Sequence, residues 1–229
     1  MSIEPLTIPW GKRVPYPLMM RTIRLCENLG WLPDWKEAPG AVLTCEAFET
    51  GEEFSAKTAN RAGSGATGLI QFMPKTAEAL GTTTEALAAM TEIEQMDYVE
   101  AYLRPYARRI HNLDDLYMAI LWPAACGAPD DYVLRMSPNA YRLNSGLDRN
   151  KDGKITKAEA CQLVREKWQK GSLPGNVMGY FQGHQAATHQ VNTAQLQDAV
   201  DALNEAIVAA NGAWHTLQTL LKTSEEQGI

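Results

Sequence analysis

The stretch of sequence that points to a fold class is residues 65–77, which read GATGLIQFMPKTA. Gly65 and Gly68 enclose a short turn, and the apolar run that follows contains a single amide, Gln71. Pro74 then stands where a helix can begin, because its ring fixes a helical φ and its missing N–H is not needed there. The stretch therefore predicts a turn, a buried segment and the start of a helix.

Apolar residues recur at helical spacing on both sides of this stretch. The spacing predicts helices over 18–29, 41–50, 75–80, 92–109, 115–122 and 157–169. Thr91 and Glu94 have the form of a capping box, and Asp114 is the predicted cap of the helix over 115–122. Because no segment shows the alternating pattern of a strand, the sequence predicts an all-α fold for residues 1–170.

The composition is that of a globular protein, with 45% hydrophobic and 21% charged residues among 229. A formal net charge of −6 argues against nucleic-acid binding, which needs a basic surface. The four cysteines form no Cys-x-x-Cys pair, so we expect reduced thiols in the core. We find neither a signal peptide nor an apolar run that would cross a bilayer, so we expect synthesis in the cytoplasm and no membrane insertion.

The sequence changes in character after residue 170. Residues 171–197 contain no Asp, Glu, Lys or Arg, which is typical of a linker. A heptad-like stripe follows, formed by Leu196, Val200, Leu203, Ile207, Ala210, Trp214, Leu217 and Leu221. We expect a C-terminal helix in 171–229 that either docks on its own domain or serves oligomerisation or attachment to a virion.

Residues 148–159 read DRNKDGKITKAE and fit the calcium-loop pattern at every position. The predicted ligands are the side chains of Asp148, Asn150, Asp152, Thr156 and Glu159 and the carbonyl of Lys154. The sequence holds no second loop of this kind, and Pro138 and Gly146 disfavour a long incoming helix. We therefore expect a structural Ca²⁺ ion that ties a loop to a helix, the alternative being a solvated acidic turn.

A candidate catalytic carboxyl group precedes the glycine-rich stretch. Glu49 ends an apolar predicted helix just before a loop, so we expect burial to raise its pKa and suit it to proton donation. Glu46 is the rival, because it lies on the same helix face three residues earlier. Gln71, a lone amide among apolar residues, is either a buried strut or a substrate contact.

Residues 65–77 resemble the G-A-x-G-L-M-Q-x-M-P-x-T-A signature of the soluble-type lytic transglycosylases, relatives of goose-type lysozyme. In that family a Glu-Ser pair at a helix end precedes the signature, and Glu49-Thr50 matches it here, with Phe54 as the following aromatic residue. The resemblance covers about residues 41–126 and implies a lysozyme-like α-helical domain. It implies Glu49 as the catalytic acid and substrate contacts from Thr50, Gly68, Leu69, Ile70, Gln71 and Phe72.

The sequence departs from the family pattern at three places. The loop between Glu49 and Gly68 is slightly longer than in the family, and Ile70 stands where Met is usual. The family's later A-Y-N-A-G segment has no counterpart, since residues 118–125 read MAILWPAA. Tyr117 is our candidate for the tyrosine that borders the catalytic Glu, with Trp122 as the other choice and a core role equally compatible with both.

The resemblance implies cleavage of the β-1,4 bond between N-acetylmuramic acid and N-acetylglucosamine in peptidoglycan glycan strands, without an organic cofactor. Glu49 would donate to the glycosidic oxygen and then take the proton of the muramic C6 hydroxyl, which attacks C1 to give a 1,6-anhydro product. Lysozyme-type hydrolysis is the second choice. It needs a second carboxylate, for which the candidates are Glu52, Glu53, Asp114 and Asp115.

The combination of these features is typical of a phage protein that acts on the bacterial cell wall, either as part of the virion or as an endolysin released at lysis. The alternative is a non-catalytic virion or wall-binding protein on the same fold. A calcium-responsive regulator is a third reading, which the single calcium loop disfavours.

Overall fold

The computed structural model describes residues 6–60 and 63–180, and a compact unit spans Glu4–Tyr180. The described chain is mainly helical, which confirms the predicted fold class at that level. Its α-helices are α1 (Tyr16–Asn28), α2 (Ala38–Glu49), α3 (Pro74–Ala79), α4 (Thr84–Ala89), α5 (Glu92–Leu103), α6 (Leu113–Leu121), α7 (Pro138–Asn144), α8 (Lys157–Ala160) and α9 (Gln162–Gly171). Short 3-10 segments cover Arg104–Arg109, Pro123–Ala125 and Ser145–Leu147.

Helix α2 lies at the centre of this unit. Its residues from Ala38 to Ala47 are all buried, and it packs against α1, α6 and α9. A helix that is buried on every side must be apolar on every side, which explains why its sequence carries no charge before Glu46. The fold thus places Glu49 at the end of the most deeply buried helix.

Local capping signals set several helix starts. The predicted box of Thr91 and Glu94 forms, with side chain and backbone bonded reciprocally. A second box of the same kind, which was not predicted from the sequence, joins Thr156 and Glu159. Helix α6, in contrast, is capped by Asn112 and not by the predicted Asp114. The side-chain Oδ1 of Asn112 accepts the N–H of Asp115 at 2.9 Å, whereas the carboxylate of Asp114 pairs with an arginine of α9.

Helix α5 is shorter than the predicted segment over 92–109. It ends at Leu103, and the next six residues continue as a 3-10 helix. Pro105 explains the change, because its ring and missing N–H do not suit the interior of an α-helix. Helix α4, between Thr84 and Ala89, was not predicted by the spacing of apolar residues.

A small antiparallel sheet joins the two ends of the unit, although the sequence predicts no strand. Strand β1 (Leu6–Ile8) pairs with β2 (Met178–Tyr180), and each has three residues, which is too short for an alternating pattern to be visible. Residues 171–180 are therefore part of the compact unit that spans Glu4–Tyr180. The rest of the predicted linker and the apolar stripe of 196–221 lie outside the described residues.

The cysteines agree with the expectation of reduced thiols. All four are free and buried.

No helix in the described part of the chain combines the length and the apolar character needed to cross a membrane.

Candidate active site and calcium loop

The chain turns sharply after Glu49, and the hydroxyl of Thr50 holds that turn. Thr50 is buried; its Oγ1 donates to the carbonyl of Glu46 at 2.6 Å and accepts the N–H of Phe54 at 3.0 Å. Gly51 follows with a φ of 63°, a left-handed conformation that glycine adopts without strain. Thr50 therefore fixes the backbone on both sides of the carboxyl-bearing residue.

A cavity of about 510 Å³ opens beyond this end of α2. Its walls are mostly polar, with two carboxyl groups, one ammonium group, hydroxyls and amides. The lining residues are Glu49, Thr50, Gly51, Glu53, Ser55, Lys57, Thr58, Ala59, Asn60 and Gln71. Such a wall suits a ligand rich in hydroxyl groups, because each donor or acceptor of the ligand finds a partner.

Glu49 is half-buried at the edge of this cavity. Burial raises the pKa of Glu49 to about 7, since the charged form loses its hydration. At neutral pH its carboxyl group is therefore present in both the protonated and the ionised form. It can donate a proton and, once it has done so, remain as a carboxylate.

The glycine-rich stretch forms a tight turn next to the cavity. Thr67 and Phe72 exchange backbone hydrogen bonds of 2.8 and 3.1 Å, which close the turn. Gly68 lies within it at a φ of 81°, and a Cβ there would overlap the amide of Gln95, whose Oε1 accepts the N–H of Leu69 at 2.7 Å. A glycine is needed at this position for both reasons.

Gln71 is both a strut and part of the cavity wall. Its Nε2 donates to the carbonyls of Thr58 at 2.9 Å and Gly68 at 3.2 Å. The structure thus brings Thr50 and Gln71 to the cavity of Glu49. The other residues predicted from the signature to contact substrate do not line it: Leu69, Ile70 and Phe72 are buried in the core, and Gly68 supports the turn.

Tyr117 lies on the core side of Glu49 and does not line the cavity. It is buried, and its ring meets that of Phe48 edge-to-face at 5.3 Å. Burial and then the neighbouring Glu49 carboxyl raise the pKa of Tyr117 well above its usual value. Tyr117 therefore lies next to the candidate acid on the side that faces the core, away from the cavity.

Among the four candidates for a second carboxylate, Glu53 is the one that lines the cavity. It is exposed, and the hydroxyl of Thr58 lies 3.5 Å from its Oε2. The other three have cationic partners elsewhere: Glu52 binds Lys167 and Lys170, Asp114 binds Arg165, and Asp115 binds Lys157. No pattern in the sequence distinguishes Glu53 from the other three.

The predicted calcium loop is held together by its own side chains. The carboxylate of Asp148 accepts the N–H groups of Gly153 at 2.9 Å and Asp152 at 3.2 Å, and the hydroxyl of Tyr141 at 2.6 Å. Asn150 Oδ1 accepts the N–H of Asp152 at 2.8 Å. The hydroxyl of Tyr141 and these backbone donors hold the pKa of Asp148 below its usual value.

The end of the loop is anchored to the core and to helix α8. Ile155 is buried, and its carbonyl accepts the N–H of Leu134 at 2.8 Å. Glu159 accepts the N–H and the hydroxyl of Thr156 at 2.9 and 2.8 Å, which completes the capping box. In this arrangement no three His, Cys, Asp or Glu side chains of the described chain converge as metal ligands.

The donor set of the loop is nevertheless chemically suited to calcium. The predicted ligands Asp148, Asn150, Asp152, Thr156, Glu159 and the Lys154 carbonyl all supply oxygen, which Ca²⁺ prefers. Gly153 has a φ of 83°, which allows the sharp turn that such a loop needs.

Comparisons of this chain with protein-family models, with characterised proteins and with solved structures give no match. The features of the chain that bear on its function are therefore the signature of residues 65–77 and the cavity at the end of α2.

Proposed function

We propose that this protein cleaves the β-1,4 bond between N-acetylmuramic acid and N-acetylglucosamine in peptidoglycan, on a lysozyme-like domain. The observation that carries the proposal is Glu49, a half-buried carboxyl group with a pKa of about 7 on the wall of a polar cavity. General acid catalysis is most efficient when the pKa of the acid lies near the working pH.

In the proposed reaction, Glu49 donates its proton to the glycosidic oxygen as the bond to C1 breaks. The carboxylate that remains takes the proton of the muramic C6 hydroxyl, whose oxygen bonds to C1. The product is a 1,6-anhydro sugar, and Glu49 ends protonated again. Gln71 contributes its Oε1 as an acceptor for a sugar hydroxyl, because its Nε2 is already bonded to the backbone.

Hydrolysis is the second candidate, and the position of Glu53 favours it. A hydrolase needs a second carboxylate to activate water or to stabilise the sugar cation. Glu53 lines the same cavity as Glu49 and has no cationic partner among the described residues.

We also propose that the loop of 148–159 binds a structural Ca²⁺ ion. The match to the loop pattern at every position and the all-oxygen donor set support this assignment. The proposed setting is a phage protein that acts on the cell wall, in the virion or after release at lysis. A wall-binding protein without activity is the alternative that the first experiment tests.

The experiment measures the clearing of purified peptidoglycan by the wild type, Glu49→Gln and Glu78→Gln. Glu78 is an exposed glutamate on α3 and serves as the matched control. We expect Glu49→Gln to be at least about 100-fold slower than the other two, the usual effect of removing a general acid. Equal rates would refute the role of Glu49. A wild type that fails where a reference lysozyme clears the substrate would favour the non-catalytic alternative.

Mass spectrometry of the products distinguishes the two reactions. Anhydro ends that persist in Glu53→Gln support the transglycosylase reaction. Reducing ends alone, together with loss of activity in Glu53→Gln, would replace it by hydrolysis with Glu53 as the second carboxylate.

A further inference from the structure

A second cavity, of about 380 Å³, lies next to the turn that precedes α2. We call it the tryptophan cleft and define it by Trp31, Asp34, Trp35, Arg108 and His111. It shares no lining residue with the cavity of Glu49. The 12 residues of α2 separate the two sites, a length of about 17 Å along the helix axis.

The floor of the tryptophan cleft is aromatic and rigid. Trp31 is buried, and its Nε1 donates to the carbonyl of Ala107 at 3.0 Å. The half-buried ring of Trp35 packs on it, with centroids 5.5 Å apart and planes tilted by 58°. Because Trp31 is fixed by packing and a hydrogen bond, Trp35 rests on a surface that does not need to reorganise when a ligand binds.

The rim of the cleft carries polar side chains without partners among the described residues. Asp34, Arg108 and His111 are exposed, and none of their side chains has a hydrogen-bond or ion-pair partner among the described residues. Many other charged groups of the described chain are paired, as Glu52 and Asp115 are. The rim therefore offers both an acceptor and donors to a ligand.

We infer that the tryptophan cleft binds a pyranose ring of a glycan chain and acts as a subsite apart from the catalytic cavity. A pyranose ring has a face of C–H bonds, which is attracted to the electron-rich face of an indole. Its edge carries hydroxyl groups that both donate and accept hydrogen bonds. They can therefore pair with the acceptor and the donors on the rim formed by Asp34, Arg108 and His111. The inference extends the proposed function, but binding at this cleft does not depend on cleavage.

The probe is tri-N-acetylchitotriose, titrated into the full chain by calorimetry. The variants are Trp35→Ala, Trp35→Phe and the control Tyr16→Ala, which removes another exposed aromatic ring, on α1. We expect Trp35→Ala to weaken one binding event by about tenfold. Trp35→Phe should keep most of the affinity, since it retains an aromatic face, and Tyr16→Ala should bind as the wild type does.

The inference is overturned if the wild type does not bind the trisaccharide, or if Trp35→Ala binds it as tightly as Tyr16→Ala does. Circular dichroism checks that each variant is folded. Should Trp35→Ala unfold, Arg108→Ala replaces it, because Arg108 is exposed and its removal leaves the core intact. Unchanged affinity in a folded Arg108→Ala would then overturn the inference in the same way.

The experiment also separates this inference from the proposed function. Glu49→Gln should lose peptidoglycan clearing while it keeps the binding event that depends on Trp35. A wild type that binds through Trp35 but clears nothing supports the cleft and refutes the proposed activity. A wild type that clears peptidoglycan but shows no binding that depends on Trp35 supports the proposed activity and refutes the cleft.

Discussion

Carboxyl groups lie in opposite environments at the end of α2 and in the loop of 148–159. Glu46 is fully buried with neither oxygen hydrogen-bonded, and Glu49 is half-buried; burial raises their pKa values to about 8 and about 7. Asp148 and Glu159 instead accept several N–H and O–H donors, and these hold both pKa values below the usual range.

The backbone explains this difference. The last turn of a helix presents carbonyl oxygens and the negative end of its dipole, so a carboxyl group at the end of α2 meets no N–H donors. The loop bends at Gly153 with a φ of 83° and turns its N–H groups toward the carboxylate of Asp148. One region therefore keeps a proton near neutral pH, and the other keeps negative charge.

The largest expected effect comes from a buried carboxylate that does have a cation. The carboxylate of Asp115 forms an ion pair with the ammonium group of Lys157, and both side chains are almost fully buried. Asp115→Ala leaves that ammonium group without its counter-ion, so we expect a loss of about 3–5 kcal/mol in the free energy of unfolding. Urea unfolding measures this loss.

The control for Asp115 is Asp97→Ala, which breaks an ion pair whose Asp97 side chain is 73% exposed. We expect that change to cost less than about 1 kcal/mol. Similar losses in the two variants would show that buried carboxylates in this protein do not need a cationic partner.

The second prediction concerns Glu46, which is buried without any partner. Its pKa is raised to about 8, so the folded protein holds a proton that the unfolded chain releases above its normal pKa near 4.5. The stability that this proton provides is fully present below pH 4.5 and is lost progressively as the pH rises from there through about 8. Between pH 5 and 8 we expect the wild type to lose about 3 kcal/mol more than Glu46→Gln does.

Urea unfolding at pH 5, 6, 7 and 8 measures the Glu46 effect. Glu78→Gln, which removes an exposed carboxyl group on α3, should keep the pH dependence of the wild type. If Glu46→Gln keeps it as well, Glu46 is ionised in the folded protein and the contrast with the loop of 148–159 fails.

The third prediction tests the loop. With free Ca²⁺ at about 100 times its dissociation constant, binding should stabilise the fold by about 2.7 kcal/mol, equal to a rise of about 5–10 °C in Tm. Glu159→Gln should lose most of this rise, although Gln still serves the capping box.

Calorimetry with Ca²⁺ and with a chelator measures the effect on Tm. Glu166→Gln, on the adjoining helix α9, is the matched control and should respond as the wild type does. A wild-type Tm that stays the same after verified metal removal would leave the loop as a solvated turn.

The smallest predicted effect is the pH dependence of cleavage. Glu49 must be protonated to donate, so above pH 7 the value of kcat/KM should fall about tenfold per pH unit. Initial rates on soluble glycan fragments between pH 5 and 9 give the profile. A rate that stays constant to pH 9 would mean that a group other than Glu49 donates the proton.

Features that depend on neighbouring residues were predicted from the sequence. The capping box of Thr91 and Glu94 involves residues three positions apart, and the turn at Gly68 and the burial of Glu49 follow from short segments. Such signals are local, so a single sequence contains them in full.

Features that depend on distant residues were not predicted. Glu52 and Glu53 are adjacent, yet Glu52 binds Lys167, 115 residues away, while Glu53 lines the cavity. Their separation follows from the left-handed turn at Gly51 and Glu52, which directs neighbouring side chains apart. Strands β1 and β2 were missed for a similar reason, because the pairing of their ends joins Leu6 to Tyr180.

The pairing of β1 with β2 has a consequence for how this unit can be built into proteins. Since Leu6 lies opposite Tyr180, the two ends of the unit are neighbours in the fold. A body with adjacent ends can be inserted into a loop of another chain, or circularly permuted, with only a short connection. Such an insertion would carry the cavity of Glu49 and the tryptophan cleft into the new protein as one module.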